Sequence, residues 1–186
     1  MSSILFASSN KNKYEEANGI LTKFGISLKF FKYSLQEIQA DTLEEIAYYK
    51  ALDAFSRCSK PVMIEDDGLF INSLNGFPGP YSSFVFKTIG NEGILKLIKS
   101  KRTAAFQSVI AYCEKKDDVQ LFKAEMNGKI SQKPTGKKWG YDPIFIPEGQ
   151  TKTYAQLEEK NLISHRYLAI KKFANWYLHT QELNDR

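Results

Sequence analysis

Two stretches of this 186-residue chain constrain its fold more than any other feature: TAAFQSVIAYCE (103–114) and VQLFKAEMNGKI (119–130). Both are long and rich in strand-forming residues, and only KKDD (115–118) separates them, so they are expected to pair as a hairpin. The first 66 residues have another grammar. SILFAS (Ser3–Ser8) reads as a buried strand, NKNKYEEANGILTKFG as a helix stopped at Gly25, and SLKFFKYS as a second strand. Thr42 and Glu45 form a capping box opening a helix from Leu43 to about Ser59, with Ile46, Ala47, Ala51 and Ala54 on its apolar face. Pro61 to Asp66 is a third strand, and Leu69 to Ser73 continues extended. Strand–helix alternation followed by hairpin strands requires an α/β fold with a mixed sheet.

After a Gly/Pro-dense loop, NGFPGPYSS, two helical stretches are expected at Tyr81–Ile89 and Glu92–Lys99. PTGKKWGYDPIFIP is a loop leading into a short strand, and a short helical piece lies near Ala155–Glu159. Ser164 caps a final helix to about Leu178. The whole chain, 1–186, is expected to form one domain or closely joined lobes. Its 42% hydrophobic and 13% aromatic content supplies a real core. The +5 charge suits either a nucleic acid or a polyanionic small molecule as partner, and its even spread favours the second. Cys58 and Cys113 lack metal-ligand spacing and read as free thiols in a reducing cytosol. No run approaches the ~20 apolar residues of a membrane span, and MSSILFASSNK lacks a signal-peptide pattern, so a cytoplasmic protein is expected.

Five segments carry candidate chemistry. In SSNKNK a strand hands over to a helix whose free N–H groups favour phosphate, with Ser8, Asn10 and Lys13 as added donors. In IEDDG, Glu65, Asp66 and Asp67 follow an apolar run. Magnesium takes one or two carboxylates plus substrate phosphates, and a neighbouring acid can orient water. In an extended strand Glu65 and Asp67 face one way and Asp66 the other, so all three reach one ion only if the chain bends at Gly68. Glu37 stands alone in LQEIQAD. In WGYDP, Trp139 and Tyr141 flank Gly140 and can stack on a base while Asp142 reads its edge. In SHR, His165 and Arg166 open the last helix as donors suited to a 6-oxopurine. Each segment alone has a bland reading: a capped helix, a solvated acidic turn, aromatics plugging a core, a structural histidine.

Their order, together with GFPGPYSS, resembles the inosine triphosphate pyrophosphatase family, from ASSNKNKYEE through IEDDGLFINSLNGFPGPYSS and WGYDPIF to KNLISHRYLA. The resemblance implies a long mixed central sheet flanked by helices, two lobes with a cleft between them, a homodimer, and a Mg2+ requirement. It implies hydrolysis of ITP, dITP and XTP between the α and β phosphates, clearing deaminated purines from the nucleotide pool. It implies triphosphate binding by Ser8, Asn10 and Lys13, with Lys13 also offsetting charge on the departing pyrophosphate. Glu37 and Asp66 match the metal-binding acids and Glu65 the water-activating one. Trp139 matches the aromatic that covers the base. Gly140 and Tyr141 sit in the same loop, and Asp142, Lys160, His165 and Arg166 match base- and phosphate-recognition positions. Two departures stand out: Asp67 where many members carry Ser or Thr, and Ser83 where some carry Lys. The rivals are a related-fold pyrophosphatase for modified pyrimidine nucleotides, against which SHR and WGYD argue, and a basic nucleic-acid-binding protein.

Overall fold

A computed structural model describes residues 3–34 and 38–184 of the chain. The first strand, β1 (Ile4–Ser8), buries Ile4 and Phe6 and hands over at Asn10 to α1 (Lys11–Thr22). Asn10 caps that helix, its side chain accepting from the Asn12 N–H at 3.0 Å. Gly25, at φ +72°, turns the chain out of it toward β2 (Leu28–Lys32). The expected cap at Thr42 is present: its hydroxyl accepts from the Glu45 N–H at 3.2 Å and opens α2 (Leu43–Cys58).

β3 (Val62–Ile71) runs without interruption through all three acids. Gly68, the residue at which such a bend would fall, lies inside the strand, and the glycine has a different reason to be there. A Cβ there would lie 2.5 Å from the Gly79 carbonyl oxygen, so only a bare backbone fits. Around this approach the Leu69 N–H donates to Ser82 Oγ at 2.8 Å, and that hydroxyl donates to the Gly79 carbonyl at 2.7 Å. The two helical stretches expected after the Gly/Pro loop form α3 (Ser82–Leu97), broken at Gly90, whose φ of +62° and ψ of −166° are not helical.

The long pair follows as β4 (Thr103–Lys115) and β5 (Asp118–Ile130), with Asp117 left-handed at the turn. β6 is short (Phe145–Pro147). The helical piece expected at 155–159 is instead a 3-10 turn, Tyr154–Gln156, and a single turn, α4 (Lys160–Ile163). The last helix, α5 (His165–Asn184), continues beyond Leu178.

The strands form one sheet in the order β2-β1-β3-β4-β5-β6. β1 pairs in parallel with both β2 and β3, while β5 and β6 are antiparallel, so the sheet is mixed as expected. The chain divides into two compact units. The first comprises Met1–Asp66, Ser108–Ala124 and Arg166–Arg186; the second comprises Asp67–Gln107 and Glu125–His165. Each unit has its own apolar core. In the first, Phe6, Leu21, Met63 and Ile110 pack with Ile170 and Phe173 of α5. In the second, Leu69, Ile71, Phe106, Ile144, Phe145 and Tyr154 cluster with Val85 and Ile94 of α3. At about 1.5–3 kcal/mol per fully buried large side chain, each cluster is a substantial source of stability. Among the described residues no helix is long and apolar enough to cross a membrane.

Candidate active site

The first unit gathers the phosphate and metal candidates. Ser8 Oγ accepts from the Asn10 N–H at 3.0 Å, which leaves the hydroxyl proton to donate outward from the start of α1. Asn10 spends its side-chain oxygen on the cap, so its amide NH2 remains as a donor. Lys13 lies in the first turn of the same helix. Asp66 is buried, and its Oδ1 lies 2.6 Å from Lys50 Nζ on α2. Glu37 lies outside the described residues.

Glu65 is the most enclosed of the acids, with no exposed side-chain surface. Ser108 Oγ donates to its Oε1 at 2.8 Å, and Arg166 Nε donates to its Oε2 at 2.8 Å. Arg166 also donates from Nη1 to Glu16 Oε2 at 2.5 Å. The guanidinium spans two carboxylates, one on β3 and one on α1, and gives the buried Glu65 a partner of opposite charge. β3 explains how neighbouring acids reach different partners: alternation sends Glu65 and Asp67 to one face and Asp66 to the other.

The second unit gathers the base-recognition candidates. Asp142 and Lys160 form a buried pair at 2.7 Å. The Lys160 ammonium also lies over the Trp139 ring at 5.3 Å and the Tyr154 ring at 5.6 Å, a cation held between two aromatic faces. The 139–142 loop turns at Gly140, φ +63°, whose carbonyl accepts from Asn91 Nδ2 at 3.1 Å. Tyr141 is anchored: its hydroxyl donates to the Ser82 carbonyl at 3.0 Å, and burial pushes its phenol well above the ordinary range. His165 is 1% exposed, with its Nε2 3.8 Å from Asp67 Oδ2. Ser83 lies exposed in the first turn of α3.

Sequence reasoning missed Lys50, Glu16, Ser108 and Phe106. Lys50 had a signal, because it falls within the α2 stripe of Ile46, Ala47, Ala51 and Ala54, where a lysine has no reason to sit unless something inside is acidic. Ser108 sits inside a run of buried apolar residues of β4 and offers the same kind of clue. Glu16 and Phe106 gave none: one looks like a surface acid, the other like ordinary core.

Fold and side chains together define the class: an α/β protein with a mixed sheet, one unit of which gathers buried acids with Lys50 and Arg166, the other a loop of aromatics beside a buried Asp–Lys pair. The chain belongs to the Ham1 family, whose model matches residues 4–176. It is 50% identical over 179 residues to a dITP/XTP pyrophosphatase of Methanopyrus kandleri, covering 94% of this chain and 95% of that protein. It is 47% identical over 178 residues to a dITP/XTP pyrophosphatase of Thermococcus kodakarensis, covering 93% and 96%. The solved structure of a HAM1 protein from Coxiella burnetii superposes with a TM-score of 0.82 at 30% identity, covering 96% of this chain and all of that one.

Proposed function

We propose that this protein hydrolyses non-standard purine nucleoside triphosphates (ITP, dITP and XTP) to the monophosphate and pyrophosphate, removing deaminated purines from the nucleotide pool. The observation that carries this is the second unit's set: Trp139, Asp142 and Lys160 locked together, with His165 buried in the same unit, in a chain half identical to a dITP/XTP pyrophosphatase. The protein acts in the cytoplasm as a homodimer, and its partner is a small nucleotide and not a nucleic acid.

The α1 N-terminus with Ser8, Asn10 and Lys13 binds the triphosphate, its N–H groups and the lysine meeting phosphate oxygens. Lys13 offsets the charge that collects on the departing pyrophosphate, so catalysis is mainly positioning and electrostatics. Glu37 and Asp66 are the residues that would hold Mg2+. Asp66 offers hard carboxylate oxygen, the kind of ligand that Mg2+ takes together with substrate oxygens. Magnesium, when bound, would neutralise phosphate charge.

Glu65 orients or deprotonates the attacking water. Each of its oxygens accepts one protein hydrogen bond and keeps a second lone pair for water. In the second unit Trp139 covers the base and Asp142, Lys160 and His165 contact its edge and the phosphates. A 6-oxo group accepts from such donors and a 6-amino group cannot, a difference worth orders of magnitude in rate.

The test is incubation of ITP, XTP, GTP, ATP and UTP with magnesium and separation of the products. IMP with pyrophosphate from ITP is expected. IDP with orthophosphate would overturn the bond assignment, and preferential UTP turnover would overturn the substrate class.

A further inference from the structure

The break in α3 at Gly90 has φ +62° and ψ −166°, a region open essentially to glycine alone. In an unbroken helix, residues five apart look about 140° away from one another, so Phe86 and Asn91 would face different sides. Across the break they reach successive residues of one loop, WGYD (139–142). The Phe86 ring stands edge-on to the Tyr141 ring, centroids 5.3 Å apart and planes at 80°. The Tyr141 hydroxyl donates to the Ser82 carbonyl, one turn before Phe86, at 3.0 Å. Asn91 Nδ2 donates to the Gly140 carbonyl at 3.1 Å. Asn91 Oδ1 is buried and accepts no hydrogen bond from the described residues, a cost that an apolar side chain would avoid. Turned over, the amide would set oxygen against the Gly140 oxygen, so the Gly140 bond decides which way it lies. The outer residues of the loop, Trp139 and Asp142, meet at Lys160, whose ammonium lies 5.3 Å from the Trp139 ring centre and 2.7 Å from Asp142 Oδ2. Thus α3 holds the centre of the loop and Lys160 its two ends.

We propose that Asn91 is a positioning residue for base binding: through the Gly140 carbonyl it fixes the turn that presents the Trp139 ring to the purine. This rests on the reading of the chain as a purine nucleoside triphosphate pyrophosphatase. Gly140, at φ +63°, is the residue of this loop with the widest backbone freedom. A Cβ built on it would meet no atom within 4 Å, so packing does not hold the turn and the Asn91 amide does. A donor on that carbonyl removes beforehand the freedom that a bound base would otherwise have to remove. Asn91 therefore acts on affinity for the nucleoside and not on the phosphate chemistry.

N91D keeps the size of the side chain and sets a carboxylate oxygen against the Gly140 carbonyl. The KM for ITP should rise about tenfold in N91D with kcat within about threefold, while inhibition by inorganic tripolyphosphate changes by less than about twofold. A general loss of folding would instead weaken ITP and tripolyphosphate together. Fluorescence reads the loop itself: in the full chain carrying W176F, Trp139 is the remaining tryptophan, and its anisotropy without substrate should fall in N91D. An unchanged KM for ITP, equal losses for ITP and tripolyphosphate, or an unchanged Trp139 anisotropy overturns the proposal. If N91D does not fold, N91S, whose hydroxyl is too short to span to the carbonyl, decides it by the same readings. A wild type without ITP turnover would sink the functional reading instead, and the anisotropy would still decide whether Asn91 holds the loop.

Discussion

At the scale of single residues, burial separates acids that look alike on paper. Glu65 sits between Ser108 and Arg166, and Asp66 sits on Lys50. E65Q keeps the shape and a carbonyl acceptor but removes the charge and the basicity. We expect kcat for ITP to fall by at least about a hundredfold with KM within about threefold, measured by pyrophosphate release. Near-normal kcat would remove Glu65 from the chemistry. K50M tests the other acid. Taking the ammonium from a buried carboxylate should cost about 3 kcal/mol of stability, read by thermal or urea unfolding. If Asp66 binds magnesium, the ion should raise the melting temperature of K50M more than that of the wild type, because it replaces the missing cation; equal shifts would exclude Asp66 as a ligand. The acids themselves were legible in the sequence, since three carboxylates after an apolar run are conspicuous. Their partners were not, because Ser108 and Arg166 come from distant elements and meet Glu65 only in the folded chain, where Arg166 also binds Glu16.

At the scale of elements, the sequence was most readable where a local rule decides the outcome. The Thr42 cap, the Gly25 stop and the break between the two halves of α3 all stand where capping and turn chemistry put them. It was least readable where a distant neighbour decides. Gly68 looks like a bend and is instead a gap in the side-chain row through which the Gly79 carbonyl passes. G68A should therefore cost about 1–3 kcal/mol, since backbone cannot step aside as a side chain can. Chemical unfolding would measure it, and a neutral result would mean the Gly79 segment yields freely. The C-terminal helix packs its inner face, Ala169, Ile170, Phe173, Ala174 and Tyr177, into the core, and it runs on past its expected end.

At the scale of the molecule, the candidate residues fall into two sets with different chemistry. Ser8, Asn10, Lys13, Glu65, Asp66 and Arg166 belong to the unit with the first core, and Trp139, Asp142, Lys160 and His165 to the unit with the second. The proposed function makes this division testable with fragments of the substrate. Inorganic tripolyphosphate with magnesium should protect amides of the first unit from hydrogen exchange, and inosine those of the second. Protection by inosine centred on α1 would reverse the assignment. The mixed sheet and its helices could be foreseen from the order of patterns, but the division of labour could not, because both units are assembled from segments that interleave along the chain.

The unbroken course of β3 has a consequence for how such a chain can change over time. Its acids are told apart by parity: odd-numbered positions look one way and even-numbered ones the other. A substitution alters one acid's chemistry and leaves its neighbours' work intact, as an acid at position 67 illustrates. The loss or gain of a single residue between Val62 and Glu65 would instead exchange the partners of every acid at once. In this stretch a substitution is felt at one position, while a change of spacing is felt at all of them.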